Sequence, residues 1–167
     1  MAKQITQLKG MNAVMANLNR EILAIKGRSM KGLIEAVIIM RRDMESTSPL
    51  IPVDIGNLRA SWFVVTSMGG LTDGAAPNFK GDRAGELREN HGRVIGEVKA
   101  LVSAVKEPVL IMGFSANYAV FVHEMVGGEG GKIDWSRPGS GAKFFEEALD
   151  RNKGLMLQII RDNAYIR

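Results

Sequence analysis

Two histidines, His91 and His123, are the sequence's only imidazoles, and it contains no cysteine. Disulfides, thiolate metal sites and thiol nucleophiles are therefore excluded. His123-Glu124 has the start of a zinc-protease helix motif, but Gly127 stands where the second histidine belongs, one turn later. Two histidines without cysteine supply too few ligands for a three-ligand zinc centre unless carboxylates are recruited from elsewhere. His123 therefore reads as a packing or hydrogen-bonding residue. The run Gly127-Gly128-Glu129-Gly130-Gly131-Lys132-Ile133 is glycine-rich, yet a phosphate-binding loop needs glycine at Val126 and a hydroxyl at Ile133. A dinucleotide loop would need its third glycine at Ile133, so a surface loop is the better reading. Gly139-Ser140-Gly141 lacks the outer spacing of a nucleophile elbow. Glu146 and Glu147 point in different directions on a helix and make no acid–base pair. The motifs predict no enzyme, no cofactor and no metal. The one enzymatic reading left is hydrolysis through His123 and Glu124.

The 167 residues suit one domain, and 46% hydrophobic with 24% charged residues is a globular balance. No apolar run nears the roughly 18 residues of a membrane span, and the N-terminus has no signal-peptide block. A soluble chain from a reducing compartment is expected. The net charge is +4, and its placement is uneven. Residues 1–47 hold eight basic side chains against four acids, whereas the rest is balanced at fourteen each. A basic helix can follow phosphates or meet an acidic partner.

The elements that would hold these residues begin with a 3-4 repeat of Leu8, Met11, Met15, Leu18, Ile22 and Ile25, a stripe as narrow as a coiled-coil seam. Gly27-Arg28-Ser29 shifts the phase before Leu33, Val37, Met40 and Met44. One kinked helix or two consecutive helices are expected, ending before Ser46. So narrow an apolar face draws little stability from itself and must dock on something. Alternation over Leu58–Val65 predicts a strand with Trp62 facing the helices and Arg59 facing away. Residues 68–93 predict a long loop, and Val94 to Val105 a helix, with strand as the alternative. Val109–Phe114 predicts a buried strand after Pro108, and Tyr118–Met125 a short amphipathic piece. Residues 127–141 predict a second loop. A final helix follows, with Ser140 as N-cap and Phe145, Leu149, Met156 and Ile159/Ile160 inward. The fold class is α+β, with long terminal helices on a small, mostly antiparallel sheet and long flexible loops.

Three blocks stand in order: Ser48-Pro49-Leu50-Ile51-Pro52-Val53-Asp54-Ile55-Gly56-Asn57-Leu58-Arg59-Ala60-Ser61, Asn117-Tyr118-Ala119-Val120-Phe121-Val122-His123-Glu124, and Gly141-Ala142-Lys143-Phe144-Phe145-Glu146-Glu147-Ala148-Leu149. Their order and spacing resemble the tail-component family of tailed phages. That family's pattern is an N-terminal helix, P-x-D-T-G-x-L-R-x-S leading into a strand, Y-A-x-x-V-E, then K-F-L/F opening a C-terminal helix. Here Ile55 replaces the threonine, His123 precedes Glu124, and the 68–93 loop is longer.

Asp54 can bond the amides of a tight turn while Gly56 supplies positive φ. Arg59 can pair with Asp54 or Glu124, and Tyr118, Phe121 and Val122 can pack under the sheet. Lys143 lies in the first turn of the last helix, where its charge opposes the dipole. An intersubunit or long-range salt bridge, or plain solvation, are its readings. The resemblance implies a virion protein, made in the bacterial cytoplasm and usually hexameric, at the phage neck or tail end. It would bind copies of itself and neighbouring neck, connector or tail-tube proteins, with DNA passing through the lumen and no membrane involved. Asp54, Arg59, Tyr118, Glu124, Lys143 and Phe144 are its candidate contact residues. A small basic nucleic-acid-binding module is the alternative.

Overall fold

A computed structural model describes residues 11–126 and 133–165. Met11 to Ser46 form one helix, α1, whose inner face carries Met30, Gly32, Ala36, Val37, Met40 and Met44. The turn through Gly56 leads to a four-residue helix, α2 (Asn57–Ala60), and then to strand β1 (Trp62–Thr66). Strand β2 (Gly70–Asp73), helix α3 (Ala84–Ser103), strand β3 (Leu110–Phe114), helix α4 (Ala119–Glu124) and helix α5 (Phe144–Ala164) complete the order. The three strands form an antiparallel sheet in the order β2-β1-β3. The fold is α+β, with long helices near both ends of the described chain.

Every residue of the central strand β1 is buried, because the sheet is covered on both faces. Trp62 and Val64, with Met112 and Phe114 of β3, join Val37, Met40 and Met44 of α1 and Phe144 and Ala148 of α5. Phe63 and Val65 point the other way, onto Ile95 and Val102 of α3. This is the period-2 geometry of a strand with a helical layer on each side. Phe114 sits edge-on to Trp62 at 5.3 Å and to Phe144 at 5.6 Å, tying sheet to α5 in the geometry aromatic pairs prefer.

Helices α1 and α5 run antiparallel. Asp43 accepts from Arg151 at one end of their contact, and Glu35 accepts from Asn163 at the other. Three residues before Glu35, Gly32 lets the two helix backbones close up: a Cβ there would lie 3.0 Å from Ile160 Cα and from Asn163 Cβ. Toward its N-terminus α1 continues past this contact, and Lys26 reaches the Lys106 carbonyl and Glu107. Farther out Val14 and Leu23 are 62% and 64% exposed, and Met11, Met15, Leu18 and Ile22 are exposed with them.

Several local expectations change. The first helix runs unbroken through Gly27-Arg28-Ser29, so it is one helix and not two; Leu8 lies outside the described residues. Residues 57–60 are helical and not strand, because Gly56 at φ 91° opens a turn closed by the Ala60 amide on the Gly56 carbonyl. The stretch 68–93 is no loop: it contains β2 and the first ten residues of α3. Residues 94–103 are helix, which decides between the two readings. β3 is half-buried and not buried. Leu149 faces solvent, while Ala148 takes the inward place expected of it. Ser140 does not cap α5; it bridges Leu50, and Lys143 occupies the cap position. Phe121, expected beneath the sheet, is 68% exposed. Gly127–Lys132, within the second expected loop, lie outside the described residues. The part from Ile133 on is held by Arg137, which donates to Glu45 Oε2 at 3.2 Å and the Glu45 carbonyl at 2.9 Å.

Candidate functional site

The six candidate contact residues fall into three places. Asp54 and Tyr118 meet at a groove of about 580 Å³ between the 52–58 turn, the 80–83 turn, α4 and residues 133–136. Leu58, Leu87 and Val122 give it an apolar floor, and Asp54, Lys80 and Arg83 line its polar sides. Burial pushes the Tyr118 hydroxyl above the ordinary tyrosine range; the Arg83 charge pulls the other way and the Asp54 charge adds to the rise. Tyr118 therefore stays a neutral phenol, able to donate and accept.

Asp54 is exposed and makes no hydrogen bond among the described residues. The turn it was expected to brace is braced by Asn57. Its Nδ2 donates to the Lys80 carbonyl at 2.9 Å, and its Oδ1 accepts the Lys80 amide at 2.8 Å. Asn57 is 5% exposed and thus locks the two turns that form one wall. Sequence reasoning missed it because an asparagine beside a glycine reads as local turn chemistry, not as a clasp on a segment 23 residues away.

Glu124, Lys143 and Phe144 gather at the junction of α4 and α5. Lys143 has φ 58°, a left-handed backbone rare for a side chain with a Cβ. It donates to Glu124 and lies 3.2 Å from Glu146, so its salt bridge is the long-range one within the chain. The hydrogen bond from Lys143, and then that from His123, hold the Glu124 carboxyl below the usual carboxylate range. Phe144, 1% exposed, is a core residue packed against Phe114 and the His123 ring. It supports the junction from below and offers no surface to a partner.

His123 has the packing and hydrogen-bonding role read from the sequence. Its Nδ1 lies 2.7 Å from Glu124 Oε1, and its Nε2 accepts the Glu146 amide at 3.4 Å. One consistent tautomer donates from Nδ1 and caps the first turn of α5 with Nε2. Both ring nitrogens are thereby engaged within the fold.

Arg59 belongs to neither cluster and pairs with neither Asp54 nor Glu124. Its Nε donates to Glu45 Oε1 at 2.7 Å, and Arg41 and Arg137 pair with the same carboxylate. Nor does Arg59 face away from Trp62: the two line one shallow recess, where the Arg41 guanidinium stands 5.2 Å over the indole ring. Burial lowers the Arg41 guanidinium, with Glu45 opposing that shift.

The other buried polar network centres on His91, 5% exposed on α3. Its Nδ1 lies 2.6 Å from Ser115 Oγ and its Nε2 2.6 Å from the Gly74 carbonyl. It joins α3 to the chain after β2 and after β3. The signal was present in the sequence as the i, i+4 series Leu87, His91, Ile95, but the helix was expected to begin after it.

Among the described residues no group of three or more histidines and carboxylates is placed to hold a metal ion, and no helix is long and apolar enough to cross a membrane. The groove combines an apolar floor, a phenol and mixed charges. Compared with known proteins, the chain matches no family model, no curated protein and no solved structure.

Proposed function

We propose that this chain is a structural subunit that joins copies of itself into a ring at the neck or tail end of a tailed phage. The observation that carries the self-assembly is the apolar face of α1 from Met11 to Ile22, with Val14, Met15 and Leu18 between them, exposed along about 17 Å of helix. A monomer gains nothing from holding so many large apolar groups in water, and contiguous patches of this kind mark interaction surfaces. The phage setting rests on the three sequence blocks and their resemblance to the tail-component family. Two of them, through Asp54 and Tyr118, line one groove. That groove supports a second contact, with a neck, connector or tail-tube neighbour. DNA would pass through the lumen of such a ring.

The nucleic-acid-binding alternative draws on the basic N-terminal segment. Lys26 is paired with Glu107 and Arg41 with Glu45, so part of that charge is neutralised within the fold. Cryo-electron microscopy of purified particles tests the proposal: a ring of this chain at the neck or tail terminus is expected. Its absence from particles would overturn the virion role. Salt-sensitive DNA binding by the isolated monomer would favour the alternative.

A further inference from the structure

Most described carboxylates are met by a cation within the fold, Glu45, Glu86 and Glu124 among them. Three that are not share one place. Asp54, Asp82 and Asp134 line the groove beside Tyr118, all exposed and without ion pair or hydrogen bond among the described residues. Of the two cations on the groove, Arg83 is engaged by Glu86, which accepts from its Nε at 2.9 Å and its Nη2 at 2.8 Å. Lys80 makes no ion pair among the described residues. Three free carboxylates thus stand against one free ammonium. The groove is net negative on a chain whose net charge is +4.

We infer that this groove docks a partner polypeptide through one of the partner's arginine side chains. Charge selects a cation, and two further features select a long, planar one. The floor of Leu58, Leu87 and Val122 is apolar and takes the methylene stem of a side chain whose charged head stays among polar groups. Tyr118 and Trp135, both half-buried, supply aromatic surface. A guanidinium stacks on such rings and forks onto carboxylates, which a compact ammonium does less well. An acidic side chain would be repelled here, and an apolar one would strip water from carboxylates and give them no partner. The two bonds from Asn57 to Lys80 hold the facing turns in place, so the groove is formed before anything binds. The inference rests on the neighbour contact assigned to this groove above and names its chemistry; it does not need the α1 face.

The probe is the blocked peptide acetyl-Gly-Arg-Gly-amide, titrated into the full-length chain and followed by amide NMR shifts. The same peptide with citrulline, equal in size and uncharged, is the control. Saturable shifts at Tyr118, Val122 and Trp135 are expected, with the arginine peptide binding about fivefold tighter than the control. Asp54→Asn combined with Asp134→Asn should remove that preference, whereas Lys80→Ala, which deletes the competing cation, should strengthen binding. All three are exposed side chains, so the fold is kept. Equal affinity for the two peptides, no binding, or shifts confined to other surfaces overturns the inference. Tighter binding of free arginine than of the peptide would mark a small-molecule site and overturn the docking role. A ring in particles whose groove meets no arginine of a neighbour would sink this inference alone. Selective peptide binding by a chain absent from particles would sink the virion role alone.

Discussion

Lys143 closes an ion pair on Glu124 from a left-handed backbone position, so the third sequence block grips the second across 19 residues of chain. The pair lies on the surface, and its contribution to stability is small. Lys143→Met should lower the melting temperature slightly, because it deletes the pair and keeps the strained φ. Lys143→Gly deletes both, so it should melt above the Met variant despite losing the same charge. Calorimetry on the two variants checks the order.

The same junction has a defined response to pH. The Glu124 carboxyl is lowered by hydrogen bonds from Lys143 and His123, so its stabilisation is present above the usual carboxylate range and lost as pH falls through the depressed value. Lys143 is raised by its hydrogen bond to Glu124, so its share is present below the ordinary lysine range and lost only as pH rises through the raised value. At Asp43 burial opposes the charge, but hydrogen bonds from Arg151 and Thr47 prevail and the carboxyl is lowered, which adds to the loss in acid. The difference in melting temperature between the parent chain and Lys143→Met should be flat around neutrality and shrink below about pH 4.

His91 is expected to be the costliest single polar site on α3. His91→Ala removes two hydrogen bonds and leaves a cavity beside Phe79, whose ring lies 6.0 Å away. A loss of about 2–4 kcal/mol in urea unfolding is expected. His91→Gln keeps polar contact and should recover part of it.

Asn57→Ala unclasps the 52–58 and 80–83 turns. Its two bonds to Lys80 are partly buried, so a cost of about 1–3 kcal/mol is expected. Proteolysis should show faster cutting near Lys80, whereas Asp54→Asn, at an exposed side chain, should leave stability within about 0.5 kcal/mol of the parent.

Gly32→Val tests the closest approach of α1 and α5. A Cβ already meets Ile160 and Asn163 at 3.0 Å, and a branched side chain forces the helices apart. A loss of about 1–3 kcal/mol is expected from overpacking. Gly27→Ala, where nothing lies within 4 Å, should instead be neutral or stabilising.

What was legible in the sequence was whatever periodicity carries. The second stripe of α1, through Val37, Met40 and Met44, the run 110–114 and the phase of α5 through Phe145, Met156 and Ile159/Ile160 all report which face a segment turns inward, whereas the first stripe of α1 is exposed. The start of α3 was not legible, because Leu87 and His91 are the only buried residues in its first ten. Gly85 and Gly92 on its exposed side masked the rest of the pattern. Pairings across the chain were not legible either. Arg59 meets Glu45, and Arg137 meets the same residue from 92 positions away. Any exposed acid was an equal candidate for such partners until the helices were laid side by side. The candidate site was half legible: Asp54 and Tyr118 do converge, but Asn57 holds the wall and Phe144 lies beneath the surface.

Glu45 has a consequence of its own. Its carboxylate is the common counterion of Arg41, Arg59 and Arg137, drawn from helix α1, helix α2 and the segment before α5. Replace it with a neutral residue and three guanidiniums lose their shared counterion, leaving Arg41 on the Arg59 carbonyl and Arg137 on backbone carbonyls alone. Glu45 is therefore an acidic knot that fastens three stretches at once, and damage there would be felt in all of them together.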